Sequence, residues 1–266
     1  DMVNVSGETY ERIAPFFDCT YRGKIPAKNK GEIDMYFVHG IKPELSVDGK
    51  GEEPNEQFWK YVNLHLYSAI HYRHAEKHIL KVLEENLSPN LYYHGVHHMY
   101  DVCTAAEKIA HREGIIGEDL FLLKTAALYH DAGFVKQYEK NEPIGIEMAR
   151  EALPKFGYTK EQVEQVADLI RATIFPHKPQ SHLEQIMCDA DLDYLGREDF
   201  HEISDSLRKE LYEFGKIESD QQWDEMQVNF LNMHQYFTES SKRIRQPLKE
   251  KHLEQIKERL AANAYK

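Results

Sequence analysis

The chain has 266 residues, with 33 Lys and Arg against 45 Asp and Glu, a formal net charge of −12. That balance argues against nucleic-acid binding, because an acidic chain is repelled by a phosphate backbone unless its basic residues cluster tightly. Hydrophobic content of 41% with 29% charged residues is globular usage, and no run approaches the roughly 18 apolar residues that span a bilayer. Cys19, Cys103 and Cys188 are scattered and odd in number, which offers no disulfide framework and suggests a reducing, cytoplasmic setting. Histidine stands out, at 15 residues; imidazole is well suited to metal ligation and proton transfer near neutral pH.

Taken in chain order, residues 9–17 read as a short helix broken at Pro15. Two strand-like runs follow, 19–22 and 32–38, joined through Gly23 and a basic turn, AKNKG, at 27–31. In the second run Ile33, Met35 and Phe37 alternate with Asp34 and Tyr36, the period of a half-buried strand. These elements make residues 1–41 one small α/β unit, a β-hairpin with a helix, and the Pro, Gly and acidic residues of 42–57 a linker. From residue 58 to 266 the pattern is helical. Helices are expected over 58–87, 96–111, 119–130, 143–156, 160–174, 183–194, 199–214, 220–244 and 248–262. Thr159 with Gln162 three residues on fits a capping box. The fold class is therefore mainly α, an all-helical bundle behind a small α/β element. The last helix, with Leu253, Ile256 and Leu260 on one side, either packs on the bundle or mediates a homodimer.

Three places hold metal-ligand residue types at meaningful offsets. His94 and His98 are four apart and share a face if a helix begins near His94. His130 and Asp131 form a doublet at the end of an apolar helix. Asp189 and Asp191 close another. Two neutral nitrogens and two carboxylates suit a divalent transition metal such as Mn, Fe or Zn, and can seat Mg. The stripe of His65, His71, His74 and His78 reads as a polar helix face.

His98, the His130-Asp131 doublet and Asp191 resemble the signature of the HD phosphohydrolase superfamily, over about residues 58–200. The resemblance implies one or two divalent ions held by His98, His130, Asp131 and Asp191, with Asp131 able to bridge two. Such an ion lowers the pKa of water toward 7. Tyr93-His94 leading to His98 and Asp101-Val102 resembles the first motif of cyclic-nucleotide phosphodiesterases, with Gly95 where Asn is usual. That implies His94 as the acid that protonates the leaving oxygen. No GYP motif, no acidic pair and no further His follows the doublet, unlike HD-GYP enzymes, alarmone hydrolases and the animal phosphodiesterases respectively.

Asn141-Glu142, and Ala172-Thr173 ahead of His177, resemble instead a less characterised bacterial HD group. On that resemblance Glu142 and His177 can line the site or hold a second metal, though His177 equally reads as an exposed loop residue. Arg171 either meets a substrate phosphate or forms a surface ion pair. Asp101, one turn after His98, can orient a ligand histidine, and Asp189 reads as a carboxylate that steadies its helix or the ligands from behind.

Residues 2–38 resemble the last portion of a class III adenylate/guanylate cyclase domain, through VSGETY, YRG and AKNKGEIDMYFV. This implies a piece of a longer cyclase–HD protein, in which Lys28 or Lys30 would touch cyclase substrate; no cyclase activity is expected of this chain. The expected activity is metal-dependent hydrolysis of a phosphodiester or phosphomonoester of a cyclic or small nucleotide. The competing expectation is a non-catalytic module that binds metal and nucleotide and regulates the cyclase. Neither involves nucleic acid or a membrane.

Overall fold

A computed structural model of the chain describes residues 3–27, 31–67, 70–262 and 265, apart from the side chains of 27 and 63–67. Lys28 and Lys30, and the side chain of His65, lie outside the described residues. The chain divides between Arg73 and His74 into two units.

The first unit carries β1 (Val3–Ser6), α1 (Gly7–Ile13), β2 (Phe17–Ala27), β3 (Gly31–Ile41), two short 3-10 turns and α2 (Glu56–Tyr67). The expected hairpin is the β2–β3 pair, with Ile25 opposite Ile33 and Thr20 opposite Phe37. It is extended by β1, which places Val5 opposite Tyr36 and makes a three-stranded antiparallel sheet in the order β1-β3-β2. The strands outrun the alternation because of a bulge between Tyr21 and Gly23, where Gly23 takes a φ of +112°; one extra residue there interrupts the period of two. The first helix starts earlier than expected because the Ser6 hydroxyl caps it, accepting from the Thr9 N–H at 3.3 Å.

The second unit is helical. It comprises α3 (Tyr72–Asn86), α4 (Val96–Arg112), α5 (Glu118–Tyr129), α6 (Asn141–Ala152), α7 (Lys160–Ala172), α8 (His182–Asp191), α9 (Phe200–Glu213), α10 (Asp220–Met233) and α11 (Glu239–Ala261). The helix α5 is buried from Leu120 to Tyr129 at every residue but Lys124, which pairs with Glu107, so it is largely enclosed rather than amphipathic. It packs against α4, α7 and α8. The expected Thr159–Gln162 capping box opens α7. Among the described residues, no helix is long and apolar enough to cross a membrane.

Two expected boundaries are wrong. The single helix over 58–87 is two, Glu56–Tyr67 and Tyr72–Asn86; residues 68–71 hold no Gly or Pro to signal the division. The expected stop near Pro247 lies inside α11, and the real break falls at 234–238. There the Asp189 carboxylate accepts from the Phe237 and Thr238 N–H groups, both at 2.8 Å. Thr238 in turn caps α11 by accepting from Ser241 N–H at 3.2 Å. A buried anion gathering free helix amides outweighs one missing proline donor.

Candidate metal centre and its cavity

Three helix ends bring the candidate ligands together. His98 stands in the first turn of α4, His130 follows the last residue of α5, and Asp191 ends α8. Asp131 turns the chain into the 3-10 segment Ala132–Val135. The α6 helix closes on this turn through glycines: a Cβ at Gly133 would sit 1.9 Å from the Asn141 carbonyl oxygen, and one at Gly145 2.4 Å from that of Tyr129. Backbone touches backbone at both places, and Asn141 and Glu142 are thereby held at the site.

Nε2 of His98, Nε2 of His130 and Oδ1 of Asp191 form a cluster whose donor atoms all lie within 4.8 Å of one another. Asp191 Oδ1 is 3.4 Å from His98 Nε2 and 3.2 Å from His130 Nε2. Asp131 Oδ2 approaches the same two nitrogens, at 3.5 and 3.2 Å. Donors bonded to one divalent ion at ~2.1 Å stand about 3.0–3.5 Å apart, so His98, His130 and Asp191 fit a common cation, with Asp131 against the same two nitrogens.

Hydrogen bonding gives an independent test of that fit. His130 Nδ1 is 2.9 Å from the Ala127 carbonyl, which can only accept, so Nδ1 carries the hydrogen. In the neutral ring Nε2 then offers a lone pair to two carboxylate oxygens that also offer only lone pairs. This buried atom has no hydrogen-bond partner. Burial disfavours an imidazolium, yet Asp131 and Asp191 together hold the His130 pKa well above its ordinary value. Burial likewise disfavours both carboxylates in charged form, but His130 foremost keeps Asp131 and Asp191 below the ordinary range. The cluster calls for positive charge at its centre, which a divalent ion supplies.

A cavity of about 390 Å³ opens beside the cluster and is lined by His94, His98, Asp131, Glu142 and Asp191 on its polar side. His94 stacks on Phe134 with ring centres 4.3 Å apart. Its Nδ1 hydrogen-bonds Glu210 of α9, and Glu210 also accepts from the Tyr93 N–H (2.8 Å), the His94 N–H (3.0 Å) and the Tyr138 hydroxyl (3.0 Å). Burial would raise the Glu210 pKa, but these donors, His94 first, hold it below the ordinary value. Fixing Nδ1 as the donor leaves His94 Nε2 free for a ligand. Sequence reasoning passed over Glu210; the signal was a carboxylate between Leu207, Leu211 and Phe214, on the apolar side of its helix.

The remaining candidates divide. Glu142 lines the cavity, and burial raises its pKa. His177 is not among the lining residues; its Nε2 faces the Thr173 carbonyl at 3.1 Å. Arg171 is exposed and paired with Asp168, one turn back on α7, and is not among the residues lining the cavity. Asp101 accepts from Arg197 with both oxygens, at 2.7 and 2.8 Å. Asp189 steadies α11, as described above.

Residues 95–193 match the family model of the HD domain. The match takes in all four candidate ligands. Among solved structures, Bacillus subtilis YpgQ is 21% identical with a TM-score of 0.51, and the alignment covers 70% of this chain and 94% of that one. YpgQ in complex with ADP is 22% identical with a TM-score of 0.50, over the same shares. A predicted HD superfamily hydrolase from an uncultured Thermotogales bacterium is 22% identical with a TM-score of 0.48, covering 70% of this chain and 91% of that one. At such identity the likeness is one of fold. No curated protein matches. The HD domain and its His-His-Asp cluster together support a metal-dependent phosphohydrolase in general terms.

Proposed function

We propose that this chain hydrolyses a phosphodiester or phosphomonoester of a cyclic or other small nucleotide. The observation that carries the reading is the buried His130 Nε2, left without a partner between two carboxylates at 3.2 Å, beside a histidine whose tautomer is fixed by Glu210. His98, His130, Asp131 and Asp191 would hold the ion, and Glu142, which lines the same cavity, would assist with a second. A bound divalent ion supplies a Lewis acid for a phosphoryl oxygen and water acidified toward neutrality. The chain's own contribution is proton delivery and exclusion of water. His94 donates from Nε2 to the departing oxygen, and Glu210 stabilises the protonated ring through Nδ1. Apolar side chains lining the cavity keep bulk water from the reacting phosphate.

Two resemblances support a nucleotide. The neighbour YpgQ was solved with ADP, and residues 2–38 resemble the end of a nucleotidyl cyclase domain, which favours a cyclic substrate. The test is hydrolysis of cyclic and linear nucleotides with Mn²⁺, comparing the natural chain with Asp131→Ala. Loss of both metal retention and turnover in the variant, with helical content kept, is expected. Undiminished turnover would refute the assignment, and nucleotide binding without products would favour a regulatory module.

A further inference from the structure

We propose that the substrate carries a single phosphate on a flat apolar body, and that the site selects it by charge and shape rather than by hydrogen bonds to the body's edge. This rests on the phosphohydrolase reading above and narrows its substrate. The charged side chains lining the cavity are two histidines and three carboxylates, and no Lys or Arg is among the described lining residues. A lone phosphate can be neutralised by the ion that the four ligands hold. A second or third phosphate would meet Asp131, Asp191 and Glu142 with no side-chain cation to offset them, and like charges brought together in such a site repel.

The apolar lining includes Phe200, Leu207, Leu211, Trp223, Phe230 and Leu231. Three aromatic rings there suit a planar partner, a nucleobase or a simple aryl group. Of the polar side chains lining the cavity, Asn141 keeps a buried Oδ1 without a hydrogen-bond partner at the start of α6, beside the ligand turn, whereas Gln227, Thr173 and Tyr138 are already engaged. Gln227 accepts from the Ser204 hydroxyl at 2.6 Å and donates to Asp224 at 3.1 Å. The Thr173 hydroxyl donates to the Ile170 carbonyl at 2.8 Å, and that of Tyr138 to Glu210 at 3.0 Å. A site discriminates strongly among bases only through polar groups that the wrong base leaves unpaired, so this apolar lining tolerates exchange of one base for another. A volume of about 390 Å³ is near the lower end of small-ligand cavities, and suits one ester rather than a dinucleotide.

The experiment uses the full chain with Mn²⁺ and two readouts. The first is kcat/KM for 3′,5′-cyclic AMP, 3′,5′-cyclic CMP, bis(4-nitrophenyl) phosphate and ATP. The second is binding of AMP and ATP, followed by quenching of Trp223 in a Trp59→Phe background, since Trp59 is 56% exposed in the first unit and Trp223 lines the cavity. Single-phosphate esters should exceed ATP by at least about tenfold in kcat/KM, AMP should bind more tightly than ATP by a similar factor, and the two cyclic nucleotides should agree within about fivefold. Comparison of the cyclic nucleotides with the aryl diester tells a nucleobase from a plain aryl body. ATP turned over as well as the cyclic esters, or cyclic AMP favoured over cyclic CMP a hundredfold, would overturn the inference while leaving the phosphohydrolase intact. Tighter binding of AMP than ATP with no ester cleaved would uphold the selectivity and refute the hydrolase.

Discussion

The pairing of His94 with Glu210 makes a prediction that depends on the leaving group. An acid matters when the departing oxygen is a poor leaving group, such as a ribose alkoxide, and hardly at all for 4-nitrophenolate. His94→Gln should therefore lower kcat for cyclic AMP by about 10²–10⁴-fold and leave bis(4-nitrophenyl) phosphate within a few-fold. Glu210→Gln should shift both in the same directions by a smaller factor. Equal losses on both substrates would mean that His94 does something other than deliver a proton. His234 gives a second prediction. Burial foremost, with the Lys249 ammonium and His177 adding, depresses its pKa from 6.5 to about 3. Between those values the unfolded chain binds more protons than the folded one, so the contribution is complete above pH 6.5 and is lost as pH falls toward 3. His234→Gln should flatten the pH dependence of unfolding free energy across that window, by on the order of a few kcal/mol in total. An unchanged slope in urea titrations would contradict it.

Among the elements, the turn from α5 into α6 decides where Asn141 and Glu142 stand. Gly133→Ala should cost about 1–3 kcal/mol by overpacking, read as a lowered urea midpoint, and should weaken turnover further by displacing the start of α6 from the cavity. An exposed control, Gly114→Ala, has nothing within 4 Å of its Cβ but takes a φ of +75°, so it should lose stability without a change in kcat. How much of this was legible differs by element. The ligands were readable because His98, His130-Asp131 and Asp191 each sit in an apolar helical context, and the Thr159–Gln162 box because capping is local. Glu210 was not, because its partners are 72 or more residues away in sequence. The passage of α11 through Pro247 was hidden for the same reason: Asp189, far upstream, fixes where that helix begins. The division of 58–87 into two helices was not legible because residues 68–71 hold no helix-breaking Gly or Pro.

For the whole molecule, the charge of −12 describes its surface more than its partners. The positive charge that a phosphate needs would come from bound cations, since the cavity has no described cationic lining beyond its histidines. Folding and metal binding are consequently coupled. Without an ion, the cluster of two carboxylates and two imidazoles is relieved only by protonation, whereas a ligand that binds the folded state alone stabilises it by RT ln(1 + [L]/Kd), about 2.7 kcal/mol at a hundredfold excess over Kd. Mn²⁺ should therefore raise the melting temperature of the second unit and a chelator should reverse the rise. His130→Ala should remove most of this response.

The central claim is that His98, His130, Asp131 and Asp191 form one metal site that serves phosphate ester hydrolysis. Its most direct test is anomalous X-ray scattering from crystals grown with Mn²⁺, with ester hydrolysis assayed on the same preparation. Strong anomalous density bonded to His98, His130 and Asp191, together with chelator-sensitive turnover, is the predicted result. Ester hydrolysis that persists with no anomalous density at these residues would contradict it.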